Sequence, residues 1–176
     1  MRRLAAVAVL ALLVVACGRS PVLMINDFES KTDLDRLTWR CHYWLEQSTR
    51  LVTSGRAGLS VDLPPGEFPT LELREIPPNW RGCRWFEFDV LASDLAGGEL
   101  LVRIDDNGPS ENFADRFTGV VPLTGRPQHV RFPLERIRRA DGGRTLDLRH
   151  MFRVLFFLKR ADRRHTIYLD RVCLTR

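Results

Sequence analysis

The densest run of groups able to do chemistry is Asp105-Asp106-Asn107-Gly108-Pro109-Ser110-Glu111-Asn112-Phe113-Ala114-Asp115-Arg116-Phe117. It sets carboxylates and amides at the end of an alternating segment and follows them with a Gly-Pro turn. Such groups accept and donate hydrogen bonds in the pattern that neighbouring sugar hydroxyls present, and a guanidinium adds a two-point contact to a uronate or phosphate. Asp105, Asp106, Asn112, Asp115 and Arg116 are therefore the candidate ligand-binding residues. The same residues also suit a structural loop in which Asp115 pairs with Arg116 while Asp105 or Asp106 caps a turn. The register of a helical calcium loop, Asp-x-Asn-x-Asp-Gly, is missing. Apolar sugar faces stack on aromatic rings, and Trp39, Tyr43, Trp44, Trp80 and Trp85 are available. Most of these belong in a core; Trp44 and Trp80 are the expected exposed pair. Trp85 has the opposite parity to Phe86 and Phe88, which points it out of its strand.

Signals for catalysis are thin. The sequence has no GxSxG, HExxH, phosphate-loop or dinucleotide motif, and His42, His129, His150 and His165 are scattered without partners at catalytic spacing. A glycosidase pair could be drawn from any two of the 22 acids, so a glycan hydrolase is only the third reading. The chain reads as a non-enzyme.

The elements that hold these groups are short strands separated by turn residues, at the spacing of an all-β sandwich. Leu59, Val61 and Leu63 alternate with Ser60 and Asp62 before Pro64-Pro65-Gly66, and Leu71 and Leu73 alternate with polar residues before Pro77-Pro78. Phe86, Phe88 and Val90, then Leu100, Val102 and Ile104, then Val130, Phe132 and Leu134 repeat the pattern. Val154 to Leu158 is a continuous apolar run, suited to a strand covered on both faces. Leu148, Met151, Phe152 and Leu155 have helical spacing, but Val154-Leu155-Phe156-Phe157 favours a strand, so a turn over 146–150 leading into a strand is expected. Ile167 and Leu169 lie on one parity and Val172 and Leu174 on the other. Either a bulge at Asp170-Arg171 or burial of both faces accounts for that change.

The ends of the chain differ sharply. Arg2 and Arg3 precede an uncharged stretch over 4–17 (LAAVAVLALLVVAC), and every Asp and Glu lies at or after Asp27. The apolar run is shorter than the ~20 residues of a spanning helix. Val14-Val15-Ala16-Cys17 resembles the bacterial lipoprotein signal, which implies cleavage before Cys17, lipidation of that cysteine and anchoring through acyl chains. Gly18 in the next position favours the outer membrane, facing the periplasm, in a host that has one. The expected division is a signal over 1–16, a lipidated cysteine and short tether over 17–22, and one sandwich domain over 23–176. A domain of that length buries roughly 70% of its unfolded surface.

Export implies an oxidising compartment, in which Cys41, Cys83 and Cys173 remain after Cys17 is used. One bridge and one thiol are expected; all three pairings are open, and Cys41 with Cys83 is favoured because Cys173 lies between Val172 and Leu174. The formal charge of the 176 residues is +5, and every basic residue except Lys31 and Lys159 is arginine. Arg136, Arg138, Arg139, Arg160, Arg163 and Arg164 form either a solvated face or a patch for phosphate-bearing lipid or polysaccharide. Nucleic acid is not an expected partner, because no recognition helix or aromatic RNA-binding motif is visible.

Asn26-Asp27-Phe28-Glu29, Gly58-Leu59-Ser60-Val61, Phe68-Pro69, Trp80-Arg81-Gly82, Phe88-Asp89-Val90 and Ile167-Tyr168-Leu169-Asp170-Arg171-Val172 follow one another in an order that resembles a galactose-binding-like jelly-roll sandwich of the carbohydrate-binding-module kind. Arg103-Ile104-Asp105-Asp106, Asn112, Asp115-Arg116-Phe117, Phe132-Pro133-Leu134 and Leu146-Asp147-Leu148 are similar to the extracytoplasmic domain of some VanZ-like proteins. The chain departs from that group in carrying a lipoprotein-like signal rather than membrane helices, and in having Cys83 where an aromatic is common. The resemblance implies fold and binding-module status, and no activity. It also implies a candidate structural calcium where the first and last strands meet, with Asp27, Glu29 and Asp170 as the matching oxygen ligands. The functional expectation is a lipid-anchored, non-catalytic module for a carbohydrate or cell-envelope polymer. The alternative is a structural or assembly lipoprotein that binds an envelope protein through its sandwich.

Overall fold

The computed structural model describes residues 21–38, 45–108 and 112–176. The signal segment, Cys17, Trp39, Cys41, Tyr43 and Trp44 lie outside the described residues, so the expected signal helix and the tryptophan platform at Trp44 fall there too. Cys83 and Cys173 are free thiols, the first half-buried and the second buried, so Cys83 does not carry the bridge expected of it.

Eleven strands are formed by the described residues: β1 (Leu23–Asn26), β2 (Leu37–Thr38), β3 (Leu45–Ser48), β4 (Gly58–Leu63), β5 (Thr70–Leu73), β6 (Trp85–Leu91), β7 (Glu99–Asp106), β8 (Phe117–Pro122), β9 (Gln128–Pro133), β10 (Met151–Phe157) and β11 (His165–Thr175). Two short helices, α1 (Lys31–Asp35) and α2 (Leu134–Ile137), sit between them. All pairing is antiparallel. One sheet runs β3-β4-β11-β6-β9 with β1 added on β11, and the other runs β2-β5-β10-β7-β8. This is the expected all-β jelly-roll sandwich.

Its core is built from the alternation read in the sequence. Phe86, Phe88 and Val90 of β6 face Leu100, Val102 and Ile104 of β7 and Val154 and Phe156 of β10, all essentially without exposure. Aromatic rings tie the layers together. Trp80 stacks on Phe86 at 5.6 Å, and Phe88 meets Phe156 of the opposite sheet edge-on at 5.0 Å. Each such ring removes enough apolar surface from water to contribute about 1.5–3 kcal/mol. At the far side Phe117 and Phe132 meet edge-on at 5.6 Å over Gly119, where an added Cβ would sit 2.7 Å from the Phe132 ring. The absent side chain is what admits that ring.

The turn over 146–150 and the strand after it form as expected. Of the two accounts of the parity change, both apply: the register of β11 shifts between Asp170 and Cys173, with Arg171 at φ +50°, and Val172, Cys173 and Leu174 are all buried. One local expectation is corrected, and one helix is new. Leu134 does not continue the strand of Val130 and Phe132; Pro133 ends it, and Leu134 enters α2 with its side chain buried. The helix α1 was not signalled by apolar spacing but by Ser30, whose side chain caps Asp33 N–H while the Asp33 carboxylate returns to the Ser30 N–H.

Candidate ligand-binding face

Alternate residues of the five-stranded sheet point away from the core: Thr70 and Glu72 from β5, Arg153, Leu155 and Phe157 from β10, Leu101, Arg103 and Asp105 from β7, and Val120 from β8. The pairing register sorts them into two bands. Arg153 lies opposite Asp105, and Leu155 lies between Glu72 and Arg103. Two residues further along the same strands, Phe157 lies between Thr70 and Leu101, and Leu101 lies opposite Val120.

The first band is a ladder of fixed charges. The Arg103 Nε donates to Asp105 Oδ1 at 2.7 Å, the Arg153 Nε to Asp105 Oδ2 at 2.6 Å and the Arg153 Nη1 to Glu72 Oε1 at 3.1 Å. Arg74 closes the ladder on Glu72 at 2.9 Å. Burial by itself would lower the Arg153 pKa, but Asp105 and Glu72 outweigh it and hold the guanidinium above its ordinary value. These side chains keep little exposure, 13% for Arg103, 11% for Arg153 and 12% for Glu72, so the ladder is a rigid, mostly buried floor rather than a set of open groups. The second band is apolar: Phe68, 51% exposed, meets the ring of Phe157 edge-on at 6.3 Å, and Val120 is 44% exposed at the other margin. Phe152 borders the ladder with the Arg153 guanidinium 5.8 Å from its ring. Polar clamps beside exposed rings are the two halves of sugar recognition.

The residues expected from the sequence divide differently. Asp105 belongs to this face, but it is 1% exposed and organises the arginines rather than meeting a ligand directly. Asp106 does not face outward. It is buried at the sandwich end, where both oxygens accept from the Arg144 guanidinium and Oδ2 also accepts from the Asp147 N–H. The Asp106 hydrogen bond in turn lifts the Arg144 pKa above its ordinary value. Asp115 is drawn to the same arginine, its carbonyl accepting from Nη2 at 2.7 Å and its carboxylate 3.3 Å from Nε. Arg144 is therefore an ion-pair partner of Asp115 in this clamp. Asn112 caps the short turn over 113–115 by accepting from the Ala114 N–H, and Arg116 is buried. The polar run thus closes a loop. Trp80 is not an exposed platform: it is fully buried, and its indole N–H donates to the Pro77 carbonyl at 2.7 Å. Trp85 does point outward and is half-buried, with the Arg131 guanidinium 4.2 Å above its ring. Arg103, Arg153 and Glu72 were missed, although their i, i+2 alternation with Asp105, Leu155 and Arg74 carried the signal.

The calcium set does not fit either. Asp170 Oδ2 accepts from the N–H groups of Thr53 and Ser54, and Oδ1 from that of Arg171. Glu29 Oε1 accepts from the Arg56 and Ala57 N–H groups, which hold its pKa below the usual carboxylate range. Asp27 Oδ1 accepts from the Glu29 N–H. Each of the three carboxylates thus accepts from backbone N–H groups, and among the described residues no trio of His, Cys, Asp or Glu is arranged to hold a metal. The outward face of the six-stranded sheet is similarly committed. Glu87 accepts from Arg131 and Thr175, Asp89 contacts His129 at 2.8 Å, and the Thr53 hydroxyl reaches Asp89 from a loop laid over the strand.

No protein-family model matches the chain, and no curated protein matches it. Solved structures do. The family 11 carbohydrate-binding module from Clostridium thermocellum, solved with a β-1,3-1,4-mixed-linked tetrasaccharide, aligns with a TM-score of 0.63 at 17% identity over 90% of this chain and 97% of that one. The fold is the jelly-roll sandwich that this module has. The family 30 module of a cellulosomal cellulase of C. thermocellum gives a TM-score of 0.56 at 17% identity, covering 90% of this chain and 94% of the module. An exo-β-agarase aligns at 0.65 and 15% identity, but this chain spans only 24% of it. At these identities the likeness establishes the fold.

Proposed function

We propose that this protein is a lipid-anchored, non-catalytic carbohydrate-binding module whose ligand lies across the outward face of the five-stranded sheet. The observation that carries the reading is the juxtaposition of the Arg103–Asp105–Arg153–Glu72 ladder with the exposed Phe68 and Val120 margin. Modules of the same fold bind oligosaccharide, as the tetrasaccharide complex of the family 11 module records. The anchor rests on the sequence around Cys17, and with it the placement in the cell envelope, at the outer membrane facing the periplasm in a diderm host. Among the described residues no helix is long and apolar enough to cross a membrane. The lipid is the anchor in this reading.

The test is retention of the full chain on a panel of immobilised glycans, with Phe68→Ser/Val120→Ser and Glu72→Gln variants alongside. Loss of one ring contact at an exposed site costs about 1 kcal/mol, so the glycan that retains the wild type should bind the double variant at least about fivefold more weakly at unchanged melting temperature. Equal retention of all variants would overturn the site. Retention on no glycan, with an envelope protein co-purifying instead, would overturn the function in favour of an assembly lipoprotein.

A further inference from the structure

Away from that face, three segments meet at one end of the sandwich: residues 79–84 before β6, residues 134–138 through α2, and residues 146–150 before β10. Backbone hydrogen bonds cross-tie them, from Trp80 N–H to Leu148 O at 2.7 Å, Leu134 N–H to Arg84 O at 2.8 Å and Leu146 N–H to Arg138 O at 2.8 Å. Between them run two open cavities of about 390 and 450 Å³ that share Arg138 and Leu148, so they form one groove. Arg81 and Arg149 line its first half and Arg84 its second; all four arginines are exposed. Among the described residues none of the four makes an ion pair, whereas Arg74, Arg103, Arg131, Arg144 and Arg153 each do.

Two carboxylates lie at the groove, and both are engaged. Asp147 accepts from the Arg149 N–H and contacts the His150 ring at 2.7 Å, which hold its pKa low, and Glu135 pairs with Arg139 at 3.1 Å. The walls between the cations are apolar, with Leu148, Pro133 and Trp85, whose ring is stiffened by Arg131 stacked over it.

We propose that this groove binds an acidic sugar chain, one that bears uronate carboxylates. Guanidinium groups pair with carboxylates through two parallel hydrogen bonds, and four of them spaced along a channel match a charge repeated along a polymer. The apolar walls supply contact for the sugar rings. The backbone ties fix the groove before the ligand arrives, which lowers the ordering cost of binding. A concave channel suits a chain lying within it better than a flat anionic bilayer.

Titration calorimetry of the full chain with trigalacturonate tests this, with a neutral glucan tetrasaccharide and phosphatidylglycerol vesicles as parallel arms. Wild type should bind trigalacturonate, and more weakly as salt is raised. Arg81→Ala/Arg138→Ala should weaken binding at least about tenfold, the effect of losing one charge-assisted hydrogen bond or more. Its melting temperature should not change. Arg50→Ala/Arg126→Ala, which removes the same charge elsewhere, should bind as wild type does. The proposal is overturned if wild type does not bind trigalacturonate, if the two double variants lose affinity equally, or if the vesicles bind while trigalacturonate does not. Neither double variant touches the Phe68 and Val120 margin, so failure here leaves the sheet-face reading standing, and failure there leaves this one.

Discussion

At the scale of single residues, the fold depends on arginines that satisfy buried acids. Asp106 has no exposed side-chain surface, and Arg144 meets both of its oxygens. Removing one partner of such a pair leaves a charge with too few donors and costs roughly 3 kcal/mol. Arg144→Ala should therefore lower the melting temperature by roughly 6–12 °C in a differential scanning experiment. Cys173 gives a prediction in pH. Burial pushes its thiol up to about 11, above the ordinary thiol value, so the native state holds this proton more tightly than the unfolded chain does. Its stabilising contribution is complete at neutral pH and is lost as pH rises through about 11. Urea midpoints should fall between about pH 9 and 11 in the wild type and fall less in Cys173→Ala.

At the scale of strands, the alternation of apolar and polar residues carries most of what the sequence discloses. It marks β4, β5, β6, β7 and β9, whose alternate residues face the core, because burial of one face imposes a period of two, whereas β10 shows as a continuous apolar run. It fails at Leu134, where Pro133 breaks the ladder, and at α1, whose four-residue capping box is a hydrogen-bond signal rather than an apolar one. The candidate site was only half legible for a related reason. A run of Asp, Asn and Arg in one loop reads as a site, yet Asp106 and Asp115 are bound to Arg144, which lies far from both in sequence. The ladder has one charge on each of several strands, and only the register places Arg153 beside Asp105 and Glu72. Pairing of β8 with β7 carries a further requirement, since Gly119 lies under the Phe117 and Phe132 rings. Gly119→Ala should cost about 1–3 kcal/mol by overpacking, read as a lower urea midpoint at unchanged slope.

At the scale of the whole molecule, the two outward faces of the sandwich are built differently. The six-stranded sheet takes in β1 and β11, the first and last strands of the described residues, and turns its outward acids to internal partners. The five-stranded sheet keeps exposed apolar margins beside a rigid ladder, which is the arrangement that the proposed glycan contact requires. Nitrogen-15 chemical-shift mapping decides between the faces most directly, using the glycan that the full chain retains best. The amides of 70–73, 101–105 and 153–157 should shift in a saturable way while those of β4, β6 and β9 stay in place. Saturable shifts confined to β4, β6 and β9, with the five-stranded sheet unmoved, would contradict the assignment of the ligand face.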